Sequence, residues 1–197
     1  MAEQLHSGAD VKYVLLFGHS FIKRLGQFME NDNVCFNIPC VNVYLKGYGG
    51  LKLKDDSHGR LHKNDARFSR SDIVVLDIGS NDLCDPFYDP ATFVRDYISY
   101  AQYLHFGLDV QCVVLCQLLP RKTVPDQGYN DRVVHVNLLL EQELSRLSQV
   151  HFWKHRAGLW NASEDIYTPD GVHLSVSSGI PRYLRSLRDC VLRHLRW

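Results

Sequence analysis

Residues 13–25, YVLLFGHSFIKRL, carry five apolar or aromatic residues into Gly18-His19-Ser20 and then into an amphipathic segment. A serine at the exit of a buried strand is either a helix cap or a nucleophile. Three distant groups bear on that choice: Gly50 in GYGG, Asn81 in GSND, and Asp170 with His173 in DGVH. Acyl transfer needs a nucleophile, a base to take its proton, a group that orients the base, and donors aimed at the developing oxyanion. Ser20 can supply the first, His173 the second, and Asp170, on the same loop, the third. The oxyanion donors would be the Ser20 N–H at a helix start, the Gly50 N–H and the Asn81 side-chain amide. Glycine lets the backbone approach a ligand closely, and an amide NH2 donates without carrying charge.

These residues meet only if the chain brings them to one edge. Residues 12–17, 73–78 and 110–116 are short, continuously apolar runs and read as buried strands; a second strand occupies the later part of 33–45 and a short fifth one 150–153. Helical spacing marks 21–29, 130–147 and a last helix presenting Leu184, Leu187, Val191 and Leu195, with Pro181 in or before its first turn. Asp89-Pro90 offers a cap and a first-turn proline for a helix to about Phe106, and Tyr97, Tyr100 and Tyr103 form a face that packs on the sheet. Apolar strands alternating with helices predict a three-layer α/β/α sandwich around a five-stranded parallel sheet, in one domain with its core over about 11–195. Functional groups in such sheets collect at the carboxyl ends of the strands. Ser20, Gly50 and Asn81 follow the first three strands in turn, and DGVH precedes the last helix.

Composition narrows the classes. The 197 residues hold 22 Lys and Arg against 22 Asp and Glu, with 45% hydrophobic and 22% charged residues, as in an ordinary globular protein. No apolar run approaches the roughly 18 residues that a bilayer span needs, and the first residues lack the layout of a signal peptide. The six cysteines show no zinc-type spacing, which fits a reducing, cytoplasmic or nuclear compartment. His58/His62 and His151/His155 have i,i+4 spacing but no evident third ligand, so surface histidines are the reading and no metal or cofactor is expected. Five arginines from Arg182 onward make the last helix basic; a solvated face is the plain account, contact with RNA or lipid head groups the other. An α/β-hydrolase elbow is excluded, because Ile22 stands where G-x-S-x-G needs its last glycine.

Taken in order, Gly18-His19-Ser20, Gly50, Asn81 and Asp170/His173 resemble the four blocks of the SGNH (GDSL-type) hydrolases. IVVLDIGSNDL and DGVHLS look most like the compact esterase domains encoded by some non-LTR retrotransposons, and like small acetylhydrolases. The resemblance implies a flavodoxin-like fold and a metal-free serine esterase acting on short acyl, acetyl-type, esters. Its triad would be Ser20, Asp170 and His173, and its oxyanion hole Ser20, Gly50 and Asn81. His19 stands where the family usually has aspartate, which brings a second imidazole next to Ser20. It also motivates the alternative of a catalytically weak binding module for RNA or lipid head groups. Loops 83–89, 117–128 and 154–169 would build the acyl pocket, with Phe87, Tyr88 and Trp160 as its lining.

Overall fold

A computed structural model of the protein describes residues 11–54, 59–160 and 165–195. Five strands form one parallel sheet: β1 (Lys12–Gly18), β2 (Val41–Gly47), β3 (Ile73–Asp77), β4 (Cys112–Cys116) and β5 (Val150–Trp153). Their spatial order is β2-β1-β3-β4-β5, the flavodoxin-like arrangement. Around them lie α1 (Ser20–Asn31), α2 (Asp65–Phe68), α3 (Pro90–Gln102), α4 (Tyr129–Leu144) and α5 (Gly179–His194).

Successive strand residues point to opposite faces, and each face finds its own helices. Leu15, Phe17, Val74, Leu76, Val113 and Leu115 pack against apolar residues of α3 and α4. Val14, Leu16, Val75, Val114 and Cys116 pack against Phe21, Ile22 and Leu25 of α1 and Ile180, Tyr183, Leu187 and Val191 of α5. At roughly 1.5–3 kcal/mol for each fully buried large side chain, these two cores fix the sheet and leave the strand exits free to carry polar groups. β3 and β4 are buried throughout, which explains their unbroken apolar sequences. Cys112, Cys116 and Cys190 are buried without disulfides and serve as small hydrophobes; burial pushes the Cys112 thiol up to about 12.

Helix ends follow local chemistry. The Asp89 carboxylate accepts from the Thr92 N–H at 2.8 Å and Pro90 occupies the first helical position. The helix stops earlier than its pattern predicts. From Tyr103 to Gly107 the backbone widens into a π-type turn, closed by Val110 N–H donating to the Leu104 carbonyl. Tyr97 is therefore buried and Tyr100 nearly so, whereas Tyr103 reaches the surface and donates to Asp65 at 2.9 Å. Between β2 and β3 the described residues form only a turn at His62–Asn64 and the short α2. His58 lies outside the described residues. On α5, Arg188 is spent on the carbonyl of Phe36, at 2.8 Å.

One polar cluster is sealed beneath α5. Ser186 Oγ accepts from Trp153 Nε1 at 3.2 Å and from the Arg156 N–H at 3.1 Å, so its own proton goes to His155 Nδ1, at 3.1 Å. His155 therefore carries its ring proton on Nε2, and burial pushes its pKa down to about 4. The unfolded chain takes up that proton near pH 6.5 while the folded protein does not. Stability from this residue is thus complete above about 6.5 and is lost as pH falls toward about 4, to a total of about 3 kcal/mol. Urea melts between pH 7 and pH 4.5 should show this loss, and 15N NMR should find the His155 ring still neutral at pH 5. A ring already protonated at pH 5 in the folded protein would contradict the assignment.

Candidate active site

Gly18 pairs with Gly47 of β2 and with Asp77 of β3, so three strands end level. A Cβ on Gly18 would lie 2.3 Å from the Asp77 carbonyl oxygen, and only glycine permits that approach. The His19 N–H then donates to the same carbonyl at 3.1 Å, and α1 begins at Ser20. Being at the first helical position, Ser20 has an N–H with no preceding turn to bond to.

His19 is 2% exposed, and its ring nitrogens bond to groups other than Ser20. Nδ1 accepts from the Phe21 N–H at 3.3 Å, capping α1. The proton is therefore on Nε2, which lies 3.3 Å from Asp77 Oδ1 and 3.1 Å from Ser80 Oγ. Tyr183 of α5 donates its hydroxyl to the other Asp77 oxygen. A buried carboxylate needs such donors, and His19 is one of them. The residue thus ties β1 to β3 and α5, and both ring nitrogens are engaged away from the serine.

Ser20, Gly50, Asn81 and His173 line one cavity of about 280 Å3, together with His19, Phe21, Gly49, Ser80, Leu119, Arg121 and Val172. Gly50 adopts φ +69°, a left-handed conformation suited to glycine, and its N–H finds no acceptor among the described residues. Asn81 donates from Nδ2 to the Leu51 carbonyl at 3.1 Å, which joins the GSND turn to the residue after Gly50. The second Nδ2 hydrogen remains for the cavity. Asp170 Oδ2 lies 2.7 Å from His173 Nδ1, while Oδ1 accepts from the N–H groups of Val172 and His173 and from Thr168 Oγ1, at 2.8, 2.9 and 2.6 Å. Ser20 and His173 share the cavity without a hydrogen bond between them.

Arg121 was not anticipated. It follows Leu118-Leu119-Pro120 just past β4, and no motif flags it; its one signal is that β4, parallel to the other strands, exits at the same edge. The expected pocket aromatics, by contrast, are not among the described residues of the cavity wall. Phe87 is 94% exposed on its loop. Tyr88 is buried away from the site, donating to Asp96 at 3.0 Å and packing on Phe93. Trp160 is 38% exposed. Loop composition did not reveal which way these rings turn. Among the described residues no cluster of three His, Cys, Asp or Glu is arranged to hold a metal ion, and no helix is long and apolar enough to cross a membrane.

No protein-family model matches the sequence, and no curated protein matches it. Solved structures do match. A GDSL-like lipase from Bacteroides thetaiotaomicron is 16% identical with a TM-score of 0.64, covering 98% of this chain and 92% of that one. A carbohydrate esterase of family 3 from Talaromyces cellulolyticus is 14% identical with a TM-score of 0.68, covering 94% and 98%. An acetylxylan esterase from Geobacillus stearothermophilus is 15% identical with a TM-score of 0.65, covering 91% and 93%. The chain has the fold of the SGNH/GDSL-like esterases and acylhydrolases.

Burial would raise the Asp170 carboxyl, but the N–H of His173, the Thr168 hydroxyl, the His173 ring and the Val172 N–H outweigh it and hold the group well below the usual carboxylate range. Its folded pKa is depressed, so the anion persists as pH falls through the ordinary range near 3.9. The His173 Nδ1 proton should accordingly give a downfield 1H resonance that survives to pH 4 and disappears in Asp170→Asn. A resonance unchanged in that variant would show that Asp170 does not hold the ring.

Proposed function

We propose that the protein is a serine esterase that removes short acyl groups, acetyl foremost, through an acyl-enzyme intermediate and without a metal. The observation that carries this reading is one small cavity walled by Ser20, Gly50, Asn81 and His173, with Asp170 bonded to the far side of the imidazole. Within the same reading, IVVLDIGSNDL and DGVHLS look most like segments of the compact esterase domains encoded by some non-LTR retrotransposons. Its core is one domain over about 11–195. Six free cysteines, two of them exposed, fit a reducing compartment.

In the mechanism, Ser20 Oγ attacks the ester carbonyl while His173 Nε2 takes the hydroxyl proton. The Asp170 carboxylate accepts from Nδ1 and stabilises the resulting imidazolium. Negative charge on the carbonyl oxygen is met by the N–H groups of Ser20 and Gly50 and by Asn81 Nδ2. Collapse breaks the bond to the alkoxy oxygen, which leaves as the alcohol with the proton held by His173. Water then attacks the acyl-serine, giving up a proton to His173. A second collapse releases the acid and returns the proton to Ser20 Oγ. The size of the cavity favours small acyl groups, and His19 takes no part beyond fixing the turn before Ser20.

Hydrolysis of p-nitrophenyl esters tests this directly. The wild type should cleave the acetate, with rates falling as the acyl chain lengthens, and Ser20→Ala should lower kcat by about 10³-fold or more with the fold intact by circular dichroism. A Ser20→Ala variant as active as the parent would remove the nucleophile from Ser20. An inert wild type that binds a ligand in the cavity would favour a binding module instead.

A further inference from the structure

Asn81 can serve an oxyanion only if its amide is turned the right way, since oxygen and nitrogen ends are nearly the same shape. In this structure both ends have partners. The Arg121 guanidinium donates from Nη2 to Asn81 Oδ1 at 3.2 Å, and one Nδ2 hydrogen goes to the Leu51 carbonyl at 3.1 Å. A flipped amide would put NH2 against a guanidinium, which has only donors, and the amide oxygen against a carbonyl, which has only acceptors. Both contacts would be lost. The flip is therefore disfavoured from both sides, and one N–H stays directed away from both partners.

Arg121 is itself held in place. Its Nη2 also donates to the Ser80 carbonyl at 3.0 Å and Nη1 to Cys84 Sγ at 3.1 Å, while the guanidinium lies 4.7 Å from the centre of the Tyr129 ring. Its backbone N–H donates to Asn130 Oδ1, and Asn130 Nδ2 donates back to the Arg121 carbonyl, both at 2.9 Å. Tyr129 adds its hydroxyl to the Ser80 carbonyl at 3.0 Å. The start of α4 thus presents the arginine to the turn that carries Asn81. No carboxylate among the described residues pairs with Arg121, so its fork is committed to the acceptors of Ser80, Asn81 and Cys84.

We propose that Arg121 is a positioning residue of the oxyanion site: its guanidinium holds the Asn81 amide by the oxygen so that Nδ2 faces the cavity. This rests on the esterase reading above. A planar fork is required, because one group must reach Asn81, Ser80 and Cys84 together; lysine offers a point charge without that geometry.

The test compares wild type, Arg121→Lys, Arg121→Ala, Asn81→Ala and the Arg121→Ala/Asn81→Ala double variant on p-nitrophenyl acetate. Arg121→Ala is expected to lower kcat by about 10- to 100-fold with KM within about two-fold, and Arg121→Lys to lower it by less. Added guanidinium, at millimolar concentrations that do not unfold the protein, should restore part of the activity of Arg121→Ala. In the Asn81→Ala background, removal of Arg121 should cost no more than about two-fold, because it acts through the missing amide. The Asn81 side-chain 15N–1H signals give an arm independent of turnover, and Arg121→Lys should shift them even if Arg121→Ala does not fold. Full activity in a folded Arg121 variant of an active parent, or equal cost in both backgrounds, would overturn the proposal alone. An inert parent would overturn the esterase reading, and unmoved Asn81 signals would then overturn the clamp as well.

Discussion

Because β1, β2 and β3 run parallel and end level, with Gly18 paired to Gly47 on one side and Asp77 on the other, the segments leaving all three strands must emerge on the same edge. That register places Ser20, Gly50 and Asn81 around one space although they are far apart in the chain. A slip of one residue would move every side chain of a strand to the opposite face. The two apolar cores, buried on both sides of the sheet, make such a slip costly. Position at the site is thus a by-product of burial elsewhere.

The polar groups at the edge then form two linked assemblies. Asp77, His19 and Tyr183 join β3, β1 and α5 beneath the cavity. Above it, the Lys122 and Thr123 N–H groups donate to the Gly171 carbonyl at 2.9 and 3.0 Å, and Tyr167 donates its hydroxyl to the Pro120 carbonyl. The loop carrying His173 and the segment carrying Arg121 are therefore tied to each other. Gly171 suits this junction: its φ of +67° and its closeness to Thr123 leave no room for a Cβ. Only backbone groups make the 170s-to-120s link through Gly171, so it depends on local conformation more than on side-chain identity.

How much of this the sequence discloses depends on how local each determinant is. Continuous apolar runs such as IVVLD announce buried strands, and Asp89-Pro90 announces a helix start, because burial and capping are written within a few residues. The pairing of Asp170 with His173 is equally local. The partners of His19 are not: Asp77 and Ser80 come to it only through the sheet, so the aspartate-to-histidine departure reads as an anomaly until the fold supplies a carboxylate. Arg121 stays hidden for the same reason, since its fork is defined by Ser80, Asn81 and Cys84 on another strand's exit. Phe87, Tyr88 and Trp160 mislead because an aromatic on a loop carries no sign of direction. The end of α3 misleads because the π-type turn continues the helical pattern of Tyr97, Tyr100 and Tyr103 past the last α-helical residue.

The central claim is that Ser20 is activated by its surroundings, and activation is separable from any choice of substrate. Incubation of the folded protein with a fluorophosphonate, followed by peptide mass mapping, measures it most directly. The account predicts a single stoichiometric adduct on Ser20 that is formed far more slowly in His173→Ala. A folded protein whose Ser20 stays unmodified while another residue reacts, or reacts equally fast without His173, would contradict it.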